Sequence, residues 1–230
     1  MRYNRNYYIN EAVRMTYTDF LQGFLKKQEP GEPIYTERIA SALAAKFGMT
    51  KKNAAAATAV AIKRIMDGGK LPELRCYQKG IYYLTSVTPF GELGINKEKL
   101  IANKYLLPDK GYETGLQLLH HLGLTTQMPT ERLFATNAVK DCTHYDERLG
   151  VSVCPPKVPV HAGNKAYLQT LDALELLDRA PVDAEDPYDL IADHIRRSGL
   201  KYETLLFYAD RYYNRKTIIQ LAHTAGRKEA

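Results

Sequence analysis

The stretch TERIASALAAKFGMTKKNAAAATAVAIKRIMDGG, residues 36–69, decides how the first part of the chain folds. Its first third spaces Ile39, Leu43 and Phe47 for one buried helix face, with Thr36 as an expected cap. Gly48 then falls where a helix ends in a left-handed residue. Two residues on, Thr50 is placed to cap another helix, from Lys51 to about Met66, which the alanine run favours and Gly68–Gly69 close. Two helices joined by a turn this short make a helix-turn-helix arrangement.

Working outward strengthens that reading. Upstream, Tyr17, Phe20, Leu21, Phe24 and Leu25 recur at helical spacing between Thr16 and Gln28, and the proline- and glycine-containing stretch 29–33 stops that helix. Downstream, Leu74–Tyr77 and Ile81–Leu84 read as two strands around Gln78-Lys79-Gly80, with glycine at the turn position that usually needs a positive φ. Helix, helix-turn-helix and hairpin is the order of a winged helix-turn-helix.

Charge suggests what such a unit binds. The net charge of +6 lies wholly in residues 1–95, which hold 14 Lys and Arg against 8 Asp and Glu. Between Arg38 and Lys79 nine basic residues face two acids, Asp67 and Glu73, the balance of a surface that meets a polyanion. Lys51, Lys52 and Asn53 occupy the first turn of the third helix, the end that enters a major groove first. The expected DNA contacts are Thr50, Lys51, Lys52, Asn53 and Thr58 toward bases or adjacent phosphates. Lys63 and Arg64, with Arg75 and Lys79 on the hairpin, are expected to grip backbone. The run Ala54–Ala57 lets the helix approach both a neighbouring helix and a groove, although helix propensity alone explains it.

After Thr85 the segment SVTPFGELGIN, residues 86–96, reads as a linker. It divides a winged-helix domain over 1–90 from a helix-rich α+β domain over 91–230 with a small sheet. The expected class is therefore α+β, mostly helical. In the second domain helices are expected over Lys97–Leu107 and Tyr112–Leu122, and β-rich pieces at Arg132–Asn137 and Val151–His161. Four helices follow, near Asn164–Leu177, Asp186–Arg197, Tyr202–Tyr212 and Arg215–Ala225.

The central segment GYETGLQLLHHLGLTTQMP, residues 111–129, resembles the signature of the AbiEi-like antitoxins, as do ATN at Ala135–Asn137 and NKAYLQTLD at Asn164–Asp172. The resemblance spans roughly residues 16–220. It implies a bacterial, cytoplasmic antitoxin of the type IV abortive-infection systems, which binds double-stranded DNA at repeats in its own promoter and represses its operon. It also implies a functional partner, a nucleotidyltransferase-like toxin, counteracted usually without a tight stoichiometric complex. The motif residues are Tyr112, Thr114, Gly115, Thr125, Thr126 and Gln127. Physically, Gly111 and Gly115 permit a tight approach to the helix, Thr114 is placed to cap it, and the Thr-Thr-Gln cluster leaves its end after Gly123. These residues either fix a turn between helix and sheet or form a surface that acts on the toxin.

Other classes receive little support. No apolar run approaches the roughly 20 residues that span a bilayer, and the N-terminus lacks the pattern of a secretory signal. The three cysteines, Cys76, Cys142 and Cys154, show no disulfide framework and suit a reducing compartment. Cys142, His144, Cys154 and His161 lack a recognised zinc spacing, and neighbouring His120 and His121 point about 100° apart on a helix. Asp141, Asp146 and Glu147 lack the lysine-bearing strand a metal nuclease needs. Neither a catalytic set, a metal site nor a cofactor motif is assigned, so an enzyme is not expected. The alternative to DNA binding is a docking module whose winged helix contacts a toxin directly.

Overall fold

The computed structural model describes residues 15–226. It is α+β, 47% helical with small sheets, and divides into one unit ending at Lys99 and another beginning at Leu100. Each has its own hydrophobic core.

In the first unit α1 (Tyr17–Leu25) starts with a capping box, in which Thr16 and Asp19 satisfy each other's backbone N–H groups. A two-residue strand β1 (Ile34–Tyr35) leads directly into α2 (Thr36–Phe47), and α3 (Lys51–Asp67) follows after three residues. Thr36 does not cap α2. It is the first helical residue, and its N–H and hydroxyl both donate to the Gly80 carbonyl, at 2.9 and 3.3 Å. Gly48 ends α2 at φ +64°, a conformation in which a side chain would clash with its own backbone. Thr50 caps α3 by accepting the Asn53 N–H at 3.3 Å.

Strands β2 (Leu74–Gln78) and β3 (Ile81–Leu84) form the hairpin, and β1 adds to the far side of β3, giving the antiparallel order β1-β3-β2. A bulge between Cys76 and Gln78 brings Gln78 into the ladder opposite Ile81 and leaves Lys79-Gly80 as the turn. Leu21, Leu25, Ile39, Leu43, Ile62, Ile65, Leu74 and Leu84 meet beneath the three helices and the sheet. The expected linker is instead a small hairpin of β4 (Val87–Thr88) and β5 (Gly91–Glu92), held by Thr88 Oγ1 donating to the Gly91 carbonyl at 2.8 Å. It belongs to the first unit.

The second unit carries a four-stranded sheet, β6 (Gly111–Thr114), β7 (Arg132–Thr136), β8 (His144–Asp146) and β9 (Val151–Cys154), in the order β6-β7-β9-β8. Only β7 and β9 are parallel. The chain reaches β6 through α4 (Lys97–Ile101) and a π-helical turn, Ala102–Leu106. Residues 112–114, expected to be helical, pair with β7 as a strand; the helix α5 (Leu116–His121) begins only after Gly115. Gly111 is obligatory, because a Cβ there would lie 2.3 Å from the Tyr105 carbonyl oxygen and 2.7 Å from that of Ala135. Strand β9 stops at Cys154, before Pro155 and Pro156, and so keeps a central place in the sheet.

Four helices complete this unit: α6 (Lys165–Leu176), α7 (Pro187–Arg197), α8 (Tyr202–Tyr212) and α9 (Arg215–Ala225). Asp186 caps α7 through the Tyr188 and Asp189 N–H groups, ahead of Pro187 at the first helical position. The core runs from Tyr112, Leu118 and Leu119 through Leu168, Leu171 and Leu174 to Ile191, Leu205 and Leu221. Among the described residues no helix is long and apolar enough to cross a membrane.

Candidate functional site

Helix α3 turns one stripe inward. Ala54, Thr58, Ala61, Ile62 and Ile65 are buried, following the three- and four-residue spacing of a single helix face. Thr58, expected to face a groove, is 1% exposed, and its hydroxyl is buried without a hydrogen-bond partner. It lies four residues before Ile62 and so shares that residue's inward phase. It is a core residue, not a DNA contact.

The opposite face is exposed and holds Lys52, Asn53, Ala55, Ala56, Ala59, Val60, Lys63 and Arg64. Lys51, Lys52, Lys63, Arg64 and Lys79 form no ion pair with any described residue. The first turn of α3 contains no acidic residue, as is also true of α5, α6 and α9. Two lysines at the positive end of a helix dipole weaken that helix unless an anion sits in front of them.

Between α2, α3 and the β2–β3 hairpin lies an open groove of about 850 Å³, lined by Ala40, Ala55 and Ala59 with Ser41, Lys51 and Lys79 and one acidic residue, Glu37. The two bonds from Thr36 to Gly80 hold the hairpin turn against the start of α2, so Lys79 is displayed beside the groove on a fixed support. Arg75 has partners within its own unit. Its guanidinium pairs with Glu92 of β5 at 3.2 Å and donates to the Pro72 carbonyl, so two of its five donors are engaged within the unit. Among the described residues, this face thus carries four cations without an ion pair on α3 and one at the hairpin turn.

In the second unit the motif residues split into two groups. Tyr112 and Thr114 do not cap a helix; both point from β6 to Asp172 of α6, their hydroxyls donating to Oδ2 at 3.0 Å each. The Tyr213 hydroxyl donates to Oδ1 at 2.7 Å and also lies 3.2 Å from the Leu168 carbonyl. Gly115, at φ +73°, starts α5 without any side-chain cap.

One carboxylate thus gathers three hydroxyl donors. Burial pushes the Asp172 carboxyl above its ordinary range, against the pull of those donors and of nearby Lys157. The same burial and the carboxylate raise both tyrosine hydroxyls and lift the Cys154 thiol to about 11. Lys157 itself pairs with Glu175 at 2.7 Å and lies 4.5 Å from the Tyr213 ring centre.

The other group, Thr125, Thr126 and Gln127, is a stitch between loops. Both the N–H and the hydroxyl of Thr126 donate to Asp183, which lowers that carboxyl's pKa. Buried Thr125 accepts the Gln127 N–H at 3.2 Å. Asp183 therefore anchors this turn, while Asp186 alone of the acidic run caps α7.

The candidate metal and nuclease residues are spread out or engaged. Cys142 and His144 are exposed while Cys154 is half-buried, and among the described residues no three His, Cys, Asp or Glu side chains are grouped to hold a metal ion. Asp146 accepts Lys104 Nζ at 2.7 Å and the Tyr105 hydroxyl at 2.8 Å. Burial opposes its ionisation, but these donors and the Leu149 N–H outweigh it and hold the carboxyl at about 2.

Comparison with family models, curated proteins and solved structures returned no match in any of the three. Sequence reasoning placed Asp172 at the end of a motif without assigning it a partner, and it missed Tyr213, which no local pattern marks; the outward phase of Ala56 and Val60 follows from the spacing of Ile62 and Ile65.

Proposed function

We propose that the first unit is a winged helix-turn-helix that binds double-stranded DNA, and that the protein is a transcriptional repressor of its own operon. The carrying observation is the set of unpaired cations Lys51, Lys52, Lys63 and Arg64 along the exposed side of α3, with Lys79 across the groove on the hairpin turn. The element order helix–strand–helix–helix–hairpin and the strand order β1-β3-β2 are those of winged helices and support the same reading. So does the acid-free first turn of α3, which suits a phosphate.

The likeness to AbiEi-like antitoxins extends the proposal. The repressor serves as the antitoxin of a type IV system and counteracts a nucleotidyltransferase-like toxin. Two segments that carry the likeness, Gly111–Gly115 and Asn164–Asp172, are bonded to each other through Asp172, so they act as one constellation. That bonding gives Tyr112 and Thr114 a role in the fold of the second unit, and no catalytic step is assigned to any residue.

The test is a fluorescence-anisotropy titration of the full chain on the DNA upstream of its own gene, beside a scrambled duplex of equal length at physiological salt. Specific sites are typically bound about a thousandfold or more tighter than non-specific ones, and a ratio of that order is expected. Equal affinity for both duplexes overturns the repressor reading. A stable complex with the neighbouring toxin and no DNA shift would instead favour docking, for which the alanine-lined groove is a surface.

A further inference from the structure

The exposed side of α3 poses a question that its lysines do not answer. Between the cations at its start and those near its end, its middle turns present Ala55, Ala56, Ala59 and Val60 to solvent, with Val60 51% exposed. None of these side chains donates or accepts a hydrogen bond, and the one hydroxyl in this part of the helix, on Thr58, faces the core. A helix that reads bases only through polar groups has nothing here to read them with.

We propose, resting on the DNA-binding reading above, that this methyl-rich face recognises thymine C5-methyl groups in the major groove, with Ala56 and Val60 as specificity-determining contacts. Thymine alone of the four bases carries a methyl group in that groove, and small apolar side chains are its natural partners. Ala56 and Val60 lie one and two turns beyond Lys52 on the same side of the helix. Lys52 and Lys63 are about 16 Å apart along the axis at 1.5 Å per residue, comparable with the roughly 12 Å width of the major groove. Cations at both ends can therefore meet phosphates while the apolar turns between them face base edges. Alanine at 55, 56 and 59 removes the bulk that would hold the backbone away from the bases. Asn53, exposed in the first turn, is of the type that pairs with adenine through two hydrogen bonds, so the site favoured by this face is rich in A·T pairs.

The experiment uses the full chain and two versions of the fragment upstream of its own gene, one copied with thymidine and one with deoxyuridine, which differ only in the C5-methyl groups. Withdrawing one methyl from contact costs about fourfold in affinity, so the thymidine fragment is expected to bind at least about fourfold tighter. Because loss of the methyl groups also alters duplex shape, Val60→Ser is measured alongside. Val60 is exposed, so the variant keeps the fold, and it is expected to shrink the thymidine-to-deoxyuridine ratio. Clear binding with equal affinity for both fragments overturns methyl recognition and leaves DNA binding standing. A ratio that Val60→Ser does not change overturns the assignment to this face. Binding to neither fragment removes the DNA reading and this inference with it.

Discussion

Asp172 is the residue on which the second unit turns. It receives hydroxyls from a strand (Tyr112, Thr114) and from the junction of α8 and α9 (Tyr213). Asp172→Ala leaves the hydroxyls of Tyr112 and Thr114 without an acceptor, while Tyr213 keeps the Leu168 carbonyl. A loss of roughly 2–4 kcal/mol is expected in urea denaturation. Asp172→Asn, which retains one acceptor oxygen, should lose less. The pH dependence has a definite sign. Burial raises the native carboxyl above its unfolded value, so its contribution favours the native state at low pH and is lost as pH rises from about 4 toward neutrality. Wild-type stability relative to Asp172→Asn should therefore fall over that range; a difference that does not change with pH would contradict it. Tyr112 and Thr114 stand out in the sequence as part of a motif, but their partner lies 60 and 58 residues away. No local spacing could connect them.

At the scale of elements, the phase of α3 settles which side chains face out. Thr58→Val tests that phase. It removes a buried hydroxyl that has no partner and keeps the shape, so a gain of about 1 kcal/mol is expected in thermal or urea denaturation, with DNA affinity unchanged. A loss of DNA affinity would mean that Thr58 points outward and that the helix is turned. The helices were legible because apolar periodicity, Thr50 and Asp186 caps and Gly48 all agree. Thr58 was misplaced because a polar residue close behind two lysines looks like a reader, while its spacing from Ala61, Ile62 and Ile65 says core. Strand β1 escaped notice because two residues carry no periodicity. Residues 112–114 read as helix because the leucine pattern of α5 extends backward through them, and only the approach required at Gly111 shows that they must lie flat against β7. The β4–β5 hairpin was hidden for a related reason: proline and glycine mark a tight turn and a linker alike.

For the whole molecule, the charge asymmetry along the chain became a local one. Among the described residues, part of the excess positive charge of the first 95 residues lies in Lys51, Lys52, Lys63, Arg64 and Lys79, which have no ion-pair partner, while Arg75 pairs with Glu92. Two separate cores explain why the first unit's fold could be read from about seventy residues of helix and hairpin pattern, whereas the second unit's site needed contacts from four distant segments. The most direct measurement is the affinity of the full chain for its upstream DNA across a range of salt concentrations, repeated with Lys52→Ala, Lys63→Ala and Arg75→Ala. Five phosphates neutralised by Lys51, Lys52, Lys63, Arg64 and Lys79 give a slope of about −4.5 in log K against log salt. Each lysine variant should flatten it by about one, and Arg75→Ala should leave it unchanged. A slope near zero, or one that neither lysine variant alters, would mean that DNA does not bind at α3.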